Sequence, residues 1–246
     1  MKPLSRFFIS AVLAGLMVLA IPMAVLAVSF GIDIVGPGGF HVTVQDGEAL
    51  DTNGLSGVMN VSVPIPGFFT VNISTALTNS PGGTPPGATG GTVDLGWQVS
   101  TLNNPVLPGG QIIITASATG FLFPPDGTPG STLSSAVGGT ITLGNVTAQQ
   151  WVNPSDVEFA TTGFTPGPQG PYGPIAFANV ATVDFTSTTP YSITDQLIIN
   201  LDEGGQTSGN LNSTTTGKVP EPMSLILLGG GLAGVGLYRR LRKPRG

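Results

Sequence analysis

Apolar and polar residues alternate with a period of two along much of the chain, which is the pattern of half-buried β-strands. The alternation is clear at Phe40, Val42 and Val44, and it returns at 58–63 and 69–73. Further segments rich in Thr, Val, Ile or aromatic residues span 92–100, 111–119, 140–151, 175–185 and 191–201, and a first strand is expected near 29–35. The pattern predicts about eight or nine strands.

Clusters of glycine and proline separate these segments, at 81–91, 123–130 and 163–174. Such clusters form turns and loops and do not build helices. Between the two ends of the chain, no apolar stretch has the 3.6-residue period of an amphipathic helix. We therefore expect residues 28–205 to form an all-β antiparallel sandwich, jelly-roll-like or immunoglobulin-like in layout.

The N-terminal end has the pattern of a secretory leader. Lys2 and Arg6 precede an apolar run at 7–26, and Val25-Leu26-Ala27 offers a small-residue cleavage site. Residues 1–27 are predicted to be a helical signal peptide. The alternative is an uncleaved membrane helix, because the apolar run is long for a leader. In both interpretations the body of the protein is exported.

The C-terminal end has the pattern of a membrane anchor. Residues 223–238 carry no charge, and the basic residues Arg239, Arg240, Arg242, Lys243 and Arg245 come directly after them. The positive-inside rule places that basic cluster on the cytoplasmic face. A helix over this run would span about 24 Å, less than the roughly 30 Å of a hydrocarbon core, so it is a marginal transmembrane helix.

Together with Val219-Pro220-Glu221-Pro222, this end resembles the PEP-CTERM sorting signal of Gram-negative bacterial surface proteins. The resemblance implies a sorting segment at 219–246 with its transmembrane helix at 223–238. It further implies processing near Pro220, Glu221 and Pro222 by a membrane protease of the exosortase type, with the basic cluster retaining the tail in the cytoplasm. The protein would be anchored briefly in the inner membrane and then reach the cell surface or the medium.

The residues before this segment, 206–218, are rich in Ser, Thr, Asn and Gly. That composition is typical of a flexible linker, and we predict a linker between the body and the anchor.

Charge is distributed very unevenly. All eight Lys and Arg residues lie in the two ends or at Lys218, so residues 28–217 contain no Lys or Arg. The same segment holds the acidic residues Asp33, Asp46, Glu48, Asp51, Asp94, Asp126, Asp156, Glu158, Asp184, Asp195, Asp202 and Glu203, a formal net charge of −12. Nucleic acid is excluded as a natural partner, because phosphate binding depends on Lys and Arg. The chain also has no cysteine, so its exported body depends on its core for stability.

The clearest candidate metal ligands are Asp46, Glu48, Asp51 and Asn53, which bring four oxygen-bearing side chains into one glycine-containing loop. Hard cations such as calcium prefer oxygen ligands of this kind. The spacing is not that of an EF-hand, and Asp, Asn and Gly are also the usual residues of a solvated turn. Calcium is the only cofactor for which the sequence offers ligands; otherwise none is expected.

Catalytic candidates are few. His41 is the single histidine and is expected on a polar strand face, and no Gly-x-Ser-x-Gly elbow accompanies it. Asp156 and Glu158 would face the same side of a strand, as a paired-carboxylate hydrolase requires, and Asp202-Glu203 has the pattern of a hairpin turn. We expect a protein that is not an enzyme.

The aromatic residues allow two interpretations. Aromatic side chains of an all-β domain usually pack in its core, but they can also form a platform on which sugars stack. The residues concerned are Trp97, Trp151, Phe68, Phe69, Phe121, Phe123 and Tyr172.

The sequence thus favours a noncatalytic structural or adhesive component of the cell surface or of its extracellular polysaccharide matrix. The alternative is a surface module that binds carbohydrate, calcium or ice. The expected partners are an exosortase-type protease, the membrane and extracellular polysaccharide.

The absence of Lys and Arg predicts the outcome of trypsin digestion. Because no cleavage site lies between Arg6 and Lys218, even the denatured body should remain one fragment, as measured by mass spectrometry. Several tryptic peptides from within the body would contradict this expectation.

Overall fold

The structure is a computed structural model, and it describes residues 29–78, 89–102, 110–121, 131–186 and 190–217. These residues form two antiparallel six-stranded sheets. The strands are β1 Phe30–Val35, β2 His41–Gln45, β3 Val58–Ile65, β4 Phe69–Thr78, β5 Thr89–Thr101, β6 Gln111–Phe121, β7 Ser131–Ile141, β8 Asn145–Asn153, β9 Gln169–Tyr172, β10 Ile175–Phe185, β11 Tyr191–Asn200 and β12 Gln206–Gly217. The predicted all-β antiparallel sandwich is confirmed.

Sheet A has the order β2-β1-β6-β11-β8-β9, and sheet B has the order β10-β7-β12-β5-β4-β3. Every pair is antiparallel. From β6 onwards the chain crosses repeatedly from one sheet to the other, at β6–β7, β7–β8, β9–β10, β10–β11 and β11–β12. Sequence neighbours are therefore seldom spatial neighbours here, and the strand order was not predictable from the strand pattern.

The core lies between the inward faces of the two sheets. Its largest fully buried side chains include Ile32, Ile112 and Ile114 of sheet A and Met59 and Leu95 of sheet B. At about 25 cal/mol per Å² of apolar surface removed from water, such residues supply most of the stability. Ion pairs cannot replace them, since no Lys or Arg is present between the two ends of the chain.

The predicted single strand at 140–151 is wrong. β7 ends at Ile141, a turn occupies 142–144, and β8 begins at Asn145 in the other sheet. Gly144 makes this turn, with a φ of 106° and with only 2.1 Å between the place of a Cβ atom and the carbonyl oxygen of Asn200. A side chain at that position would clash with backbone, so only glycine permits the reversal.

The predicted flexible linker at 206–218 is also wrong, because residues 206–217 are strand β12 in the middle of sheet B. β12 pairs with β5 on one side and with β7 on the other. Its inward side chains Thr207, Leu211, Ser213 and Thr215 are all buried. The composition that suggested a linker has another cause. β12 has a single large apolar side chain, polar residues at its outward positions and mostly small residues at its inward positions. The body therefore extends to at least Gly217 and does not end at residue 205.

The strand assignment of residues 206–217 can be tested with Leu211→Ala. Leu211 is fully buried, so the change should lower stability by about 3 kcal/mol and the melting temperature by roughly 6 to 12 °C. Leu55→Ala is the matched control, because Leu55 is 68% exposed and should change the melting temperature by about 1 °C or less. Equal, small effects of the two substitutions in calorimetry would restore the linker interpretation.

Candidate functional site

The acidic loop between β2 and β3 is held together by its own side chains. Asp51 accepts hydrogen bonds from the backbone N–H groups of Asn53 at 2.9 Å, Asn60 at 3.0 Å and Gly47 at 3.2 Å. Partial burial raises the pKa of Asp51, but these three hydrogen bonds outweigh it, so the pKa lies below its ordinary value. Asp51 therefore stabilises the loop above its unfolded pKa, and that stabilisation is lost as the pH falls through its folded pKa.

The other three candidate calcium ligands also bind backbone N–H groups. Asp46 accepts from Gly57 at 2.7 Å, Glu48 from Gln45 at 2.9 Å and Asn53 from Leu55 at 3.0 Å. Within the described ranges, no group of three or more His, Cys, Asp or Glu side chains is placed to hold a metal ion. The four residues act as caps of a turn in this structure, and calcium binding stays a prediction from the sequence.

His41 lies on the exposed edge of sheet A. Its Nε2 atom is 2.8 Å from Oδ1 of Asp33, and the same Asp33 oxygen accepts a hydrogen bond from Thr43 at 2.6 Å. The His41 side chain is 61% exposed, as its polar strand face predicted. His41 and Asp33 are thus paired, but the nearby hydroxyl of Thr43 donates to Asp33 and not to His41. This is not the order of contacts in a Ser-His-Asp triad, where the hydroxyl contacts the histidine.

Asp156 and Glu158 do not lie on a strand, so the interpretation of them as paired strand carboxylates is wrong. β8 ends at Asn153, and both residues belong to the loop after it. Asp156 has a φ of 55° and accepts a hydrogen bond from the backbone N–H of Gly120 at 2.7 Å. Asp156 therefore attaches this loop to β6. Asp202 and Glu203 are exposed in the connection between β11 and β12. The predicted hairpin turn is wrong, because β11 and β12 belong to different sheets.

Both tryptophans are buried, so a sugar-stacking platform built on them is wrong. Trp97 is 4% exposed and lies in sheet B, whereas Trp151 is 6% exposed and lies in sheet A. Phe69 and Phe121 are almost fully buried. Phe68 and Tyr172 are half-buried, and Phe123 lies outside the described residues.

A ring of five polar side chains crosses the core between the sheets. We define the buried polar ring as Asp195, Gln150, Gln169, Ser135 and Ser213, none of which is more than 3% exposed. Asp195 and Gln150 are directly opposite each other on β11 and β8, and Ser135 and Ser213 are directly opposite on β7 and β12. Gln169 donates to Gln150 at 3.1 Å and to Ser135 at 2.5 Å, and Ser213 donates to Asp195. The two sheets are thereby joined by hydrogen bonds as well as by apolar packing.

Within the buried polar ring, Asp195 is the residue whose ionisation would lower the stability of the core. Burial raises its pKa well above the ordinary value, the Ser213 hydrogen bond opposes that rise, and the charge of Asp94 adds to it. The Oδ2 atom of Asp195 has no hydrogen-bond partner among the described residues, and the same holds for Nε2 of Gln150 and Oε1 of Gln169. An ionised Asp195 without a cationic neighbour destabilises the core, because water is the better solvent for its charge.

The outer faces of the two sheets differ. The loop after β8 covers part of sheet A: the N–H of Phe159 donates to Ser117 at 2.9 Å, and the Ser192 hydroxyl donates to the carbonyl of Val157 at 2.7 Å. The outer face of sheet B carries exposed amides and hydroxyls, among them Asn72, Gln98 and Asn210, around a cavity of about 400 Å³ lined in part by Asn72, Gly96 and Gln98. In the sequence, the signal for this face is the set of polar positions that alternate with the core residues of β3, β4 and β5.

The end of the chain decides how the protein is sorted. Residues 218–243 match the family model of the PEP-CTERM protein-sorting motif. The chain carries a PEP-CTERM sorting signal. This signal makes the protein an exported substrate of an exosortase, processed at the membrane and delivered to the cell surface. The match begins at the residue after Gly217, the last residue of β12.

Several predicted features of the PEP-CTERM signal lie outside the described residues. They are the processing residues Pro220, Glu221 and Pro222, the basic cluster from Arg239 to Arg245 and the transmembrane helix at 223–238, and the signal peptide at 1–27 is outside them too. Within the part of the chain that the structure describes, no helix has the length and apolar character needed to cross a membrane.

Comparison with other proteins adds little about the body. No curated protein matches the chain. Two solved structures are weakly similar: the enzymatically active domain of tailspike protein 4 of bacteriophage CBA120, at 10% identity and a TM-score of 0.27, and infectious bursal disease virus strain Gx, at 12% identity and a TM-score of 0.23. The alignments cover 55% of this chain and 18% of the tailspike chain, and 78% of this chain and 70% of the viral chain. At such TM-scores these likenesses carry no argument.

The raised pKa of Asp195 predicts a pH-dependent effect of Asp195→Asn. The wild type should lose stability as the pH rises from the unfolded pKa of about 3.9 towards the folded pKa, because the unfolded chain ionises more easily. Asparagine has the shape of the neutral acid and cannot ionise. At pH 7 the variant should therefore gain on the order of 2 kcal/mol, or roughly 4 to 8 °C, and the gain should vanish near pH 4.

Thermal melts across this pH range measure the difference. Asp202→Asn serves as the control, because Asp202 is exposed. A difference between Asp195→Asn and wild type that stays the same at every pH would contradict the assigned ionisation.

Proposed function

We propose that this protein is a noncatalytic structural or adhesive component of the bacterial cell surface or of its extracellular polysaccharide matrix. The observation that carries the proposal is the PEP-CTERM sorting signal at 218–243, joined directly to β12 in the middle of sheet B. Before processing, the chain is anchored in the inner membrane by residues 223–238, with the basic cluster on the cytoplasmic face. Exosortase then releases the sandwich near Pro220, Glu221 and Pro222.

The position of β12 supports a mechanical role. Tension applied through the C-terminal end acts along a strand that is hydrogen-bonded to β5 and to β7 over almost its whole length. Pulling along such a strand loads many hydrogen bonds at once, whereas an edge strand would be peeled away bond by bond. A body that is tethered to a membrane, or held in a matrix, benefits from this attachment.

The net negative charge of the body is compatible with a location among uncharged, hydrated polymers. The segment 28–217 has a formal net charge of −12 and no Lys or Arg. A surface of this kind stays soluble and is repelled by anionic polymers, nucleic acid included. It is compatible with uncharged extracellular polysaccharide.

A carbohydrate-binding module is the second candidate function. It is favoured by the amides and hydroxyls on the open outer face of sheet B. Amide and hydroxyl groups both donate and accept hydrogen bonds, as sugar hydroxyls do.

The sorting step is tested by replacing Pro220, Glu221 and Pro222 together with alanine. We expect wild type to leave the membrane fraction with a mass that ends near residues 218–222, and the triple variant to remain in the membrane with Gly246 attached. Intact-mass analysis of the fractions measures this. The control is Ser208→Ala, at an exposed position of β12, which should be processed normally. Alanine at Thr214, Thr215 and Thr216 would be less suitable, because Thr215 is buried.

The structural role is tested in cells that lack the gene. Wild-type protein should restore cohesion of surface-attached cells, and the unprocessed triple variant should restore it less than half as well. Full cohesion without the gene would overturn the structural proposal while leaving the sorting result intact.

A further inference from the structure

The outer face of sheet B contains a row of small residues that crosses five strands. In register they are Ser74 on β4, Gly96 on β5, Asn210 on β12, Gly138 on β7 and Ala178 on β10. With neighbouring strands about 4.8 Å apart, the row is about 19 Å long. Four of its five members have a side chain no larger than that of serine, so the row forms a trough across the strands.

Longer polar side chains flank the trough. One wall is formed by a second row in register, Ser62, Asn72, Gln98, Ser208 and Thr140. The opposite wall contains Asp94, Asn212, Ala136 and Val180. The first wall consists entirely of amides and hydroxyls, and the second adds a single carboxylate.

Two depressions lie along the trough. One has a volume of about 400 Å³ and is lined by Gly96 together with Asn60 and Gln98. The other has a volume of about 600 Å³ and is lined by Gly138, Ala178 and Asn210. Each volume is within the range of ligand sites in proteins, roughly 300 to 1,000 Å³. Asn210, at the centre of the row, lies between Gly96 and Gly138.

The polar groups of the trough are oriented by one another. The Ser62 hydroxyl donates to Oδ1 of Asn72 at 2.7 Å, so the amide nitrogen of Asn72 keeps its two donors for another partner. The amide nitrogen of Asn210 donates to Asp94, so its Oδ1 atom keeps its acceptor capacity. Gln98 is exposed and can serve in both ways. The trough therefore offers oriented donors at Asn72 and an oriented acceptor at Asn210.

This chemistry favours one class of ligand. An anionic polymer is disfavoured by Asp94 and by the net negative charge of the body. A protein partner would require a larger apolar patch, and Val180 is the only exposed large apolar side chain that the described residues place on this face. A neutral polymer rich in hydroxyl groups satisfies the amides without needing a cation.

We propose that this trough binds a segment of neutral polysaccharide that lies across the strands of sheet B. This proposal rests on the proposed matrix role. It specifies neutral polysaccharide as the ligand and the trough of sheet B as the binding surface. The outer face of sheet A is not equivalent, since the loop after β8 packs on it through Ser117 and Ser192. Binding is therefore a property of one face of the sandwich.

Gly138→Val is the most informative variant. A Cβ atom at Gly138 would lie 3.5 Å from the carbonyl oxygen of Phe177 and 3.9 Å from Cβ of Ala178, which are ordinary contacts, and its φ is not positive. Valine is favoured in strands, so the fold should tolerate the change while the trough is filled. Gln98→Ala removes an amide from the wall, and Gln149→Ala on the outer face of sheet A is its matched control.

The experiment uses the mature exported protein and soluble neutral glucans, mannans and galactans as probes, with polygalacturonate as the anionic comparison. Wild type should be retarded by at least one neutral polysaccharide in affinity electrophoresis, with little dependence on salt. Gly138→Val and Gln98→Ala should each weaken binding about tenfold or more, Gln149→Ala less than twofold, and all should melt within a few degrees of wild type.

Each other outcome overturns the proposal in a distinguishable way. If wild type binds neutral polysaccharide and the trough variants bind equally well, the matrix role stands and the trough is wrong. If wild type binds only polygalacturonate, or none of the polysaccharides, the neutral ligand is wrong, whereas exosortase sorting is judged separately by intact mass.

Discussion

Sheet B is one sheet only because β12 lies between β7 and β5. Without it, β10 and β7 would be separated from β5, β4 and β3. The same strand supplies Leu211 to the core, Ser213 to the buried polar ring and Asn210 to the trough. Its last residue adjoins the PEP-CTERM signal. The pairing of β12 with its two neighbours is thus the constraint on which the core, the candidate binding surface and the connection to the sorting signal all depend.

The absence of cationic side chains explains how the sandwich is stabilised. Surface carboxylates such as Asp51 and Asp156 accept hydrogen bonds from backbone N–H groups. These hydrogen bonds take the place of ion pairs with Lys or Arg. Charge-assisted hydrogen bonds of this kind satisfy loop donors that would otherwise need water. Asp195 has no such group of backbone donors among the described residues, and its burial in the ring favours the neutral acid. The fold therefore tolerates a high negative charge at its surface but not in its core.

Most strands were predictable, but β7, β9 and β12 were missed. β9 lies at Gln169–Tyr172, inside the cluster 163–174 that was predicted to be a loop, whereas β7 and β12 were missed for a different physical reason. β3 and β4 alternate large apolar residues with polar ones, so their sequences show both faces. β12 and β7 have Ser, Thr or Gly at many inward positions, because they face large side chains: the place of a Cβ atom at Gly209 is 2.5 Å from the ring of Trp97. A small inward residue opposite a large one fills the core as well as two medium residues. In the sequence, however, a strand built from such small inward residues cannot be distinguished from a linker.

By itself the sequence determined the PEP-CTERM sorting signal, the cation-free body and the all-β class, because each depends on local composition, a short motif or a short periodic pattern. Only the tertiary structure decided that residues 206–217 are a central strand, that the buried polar ring joins side chains from five strands, and that Gly96, Asn210 and Gly138 lie in one row. These features depend on strand order and register. Register is set by the packing of residues far apart in the chain, since a shift of one residue turns every side chain to the opposite face.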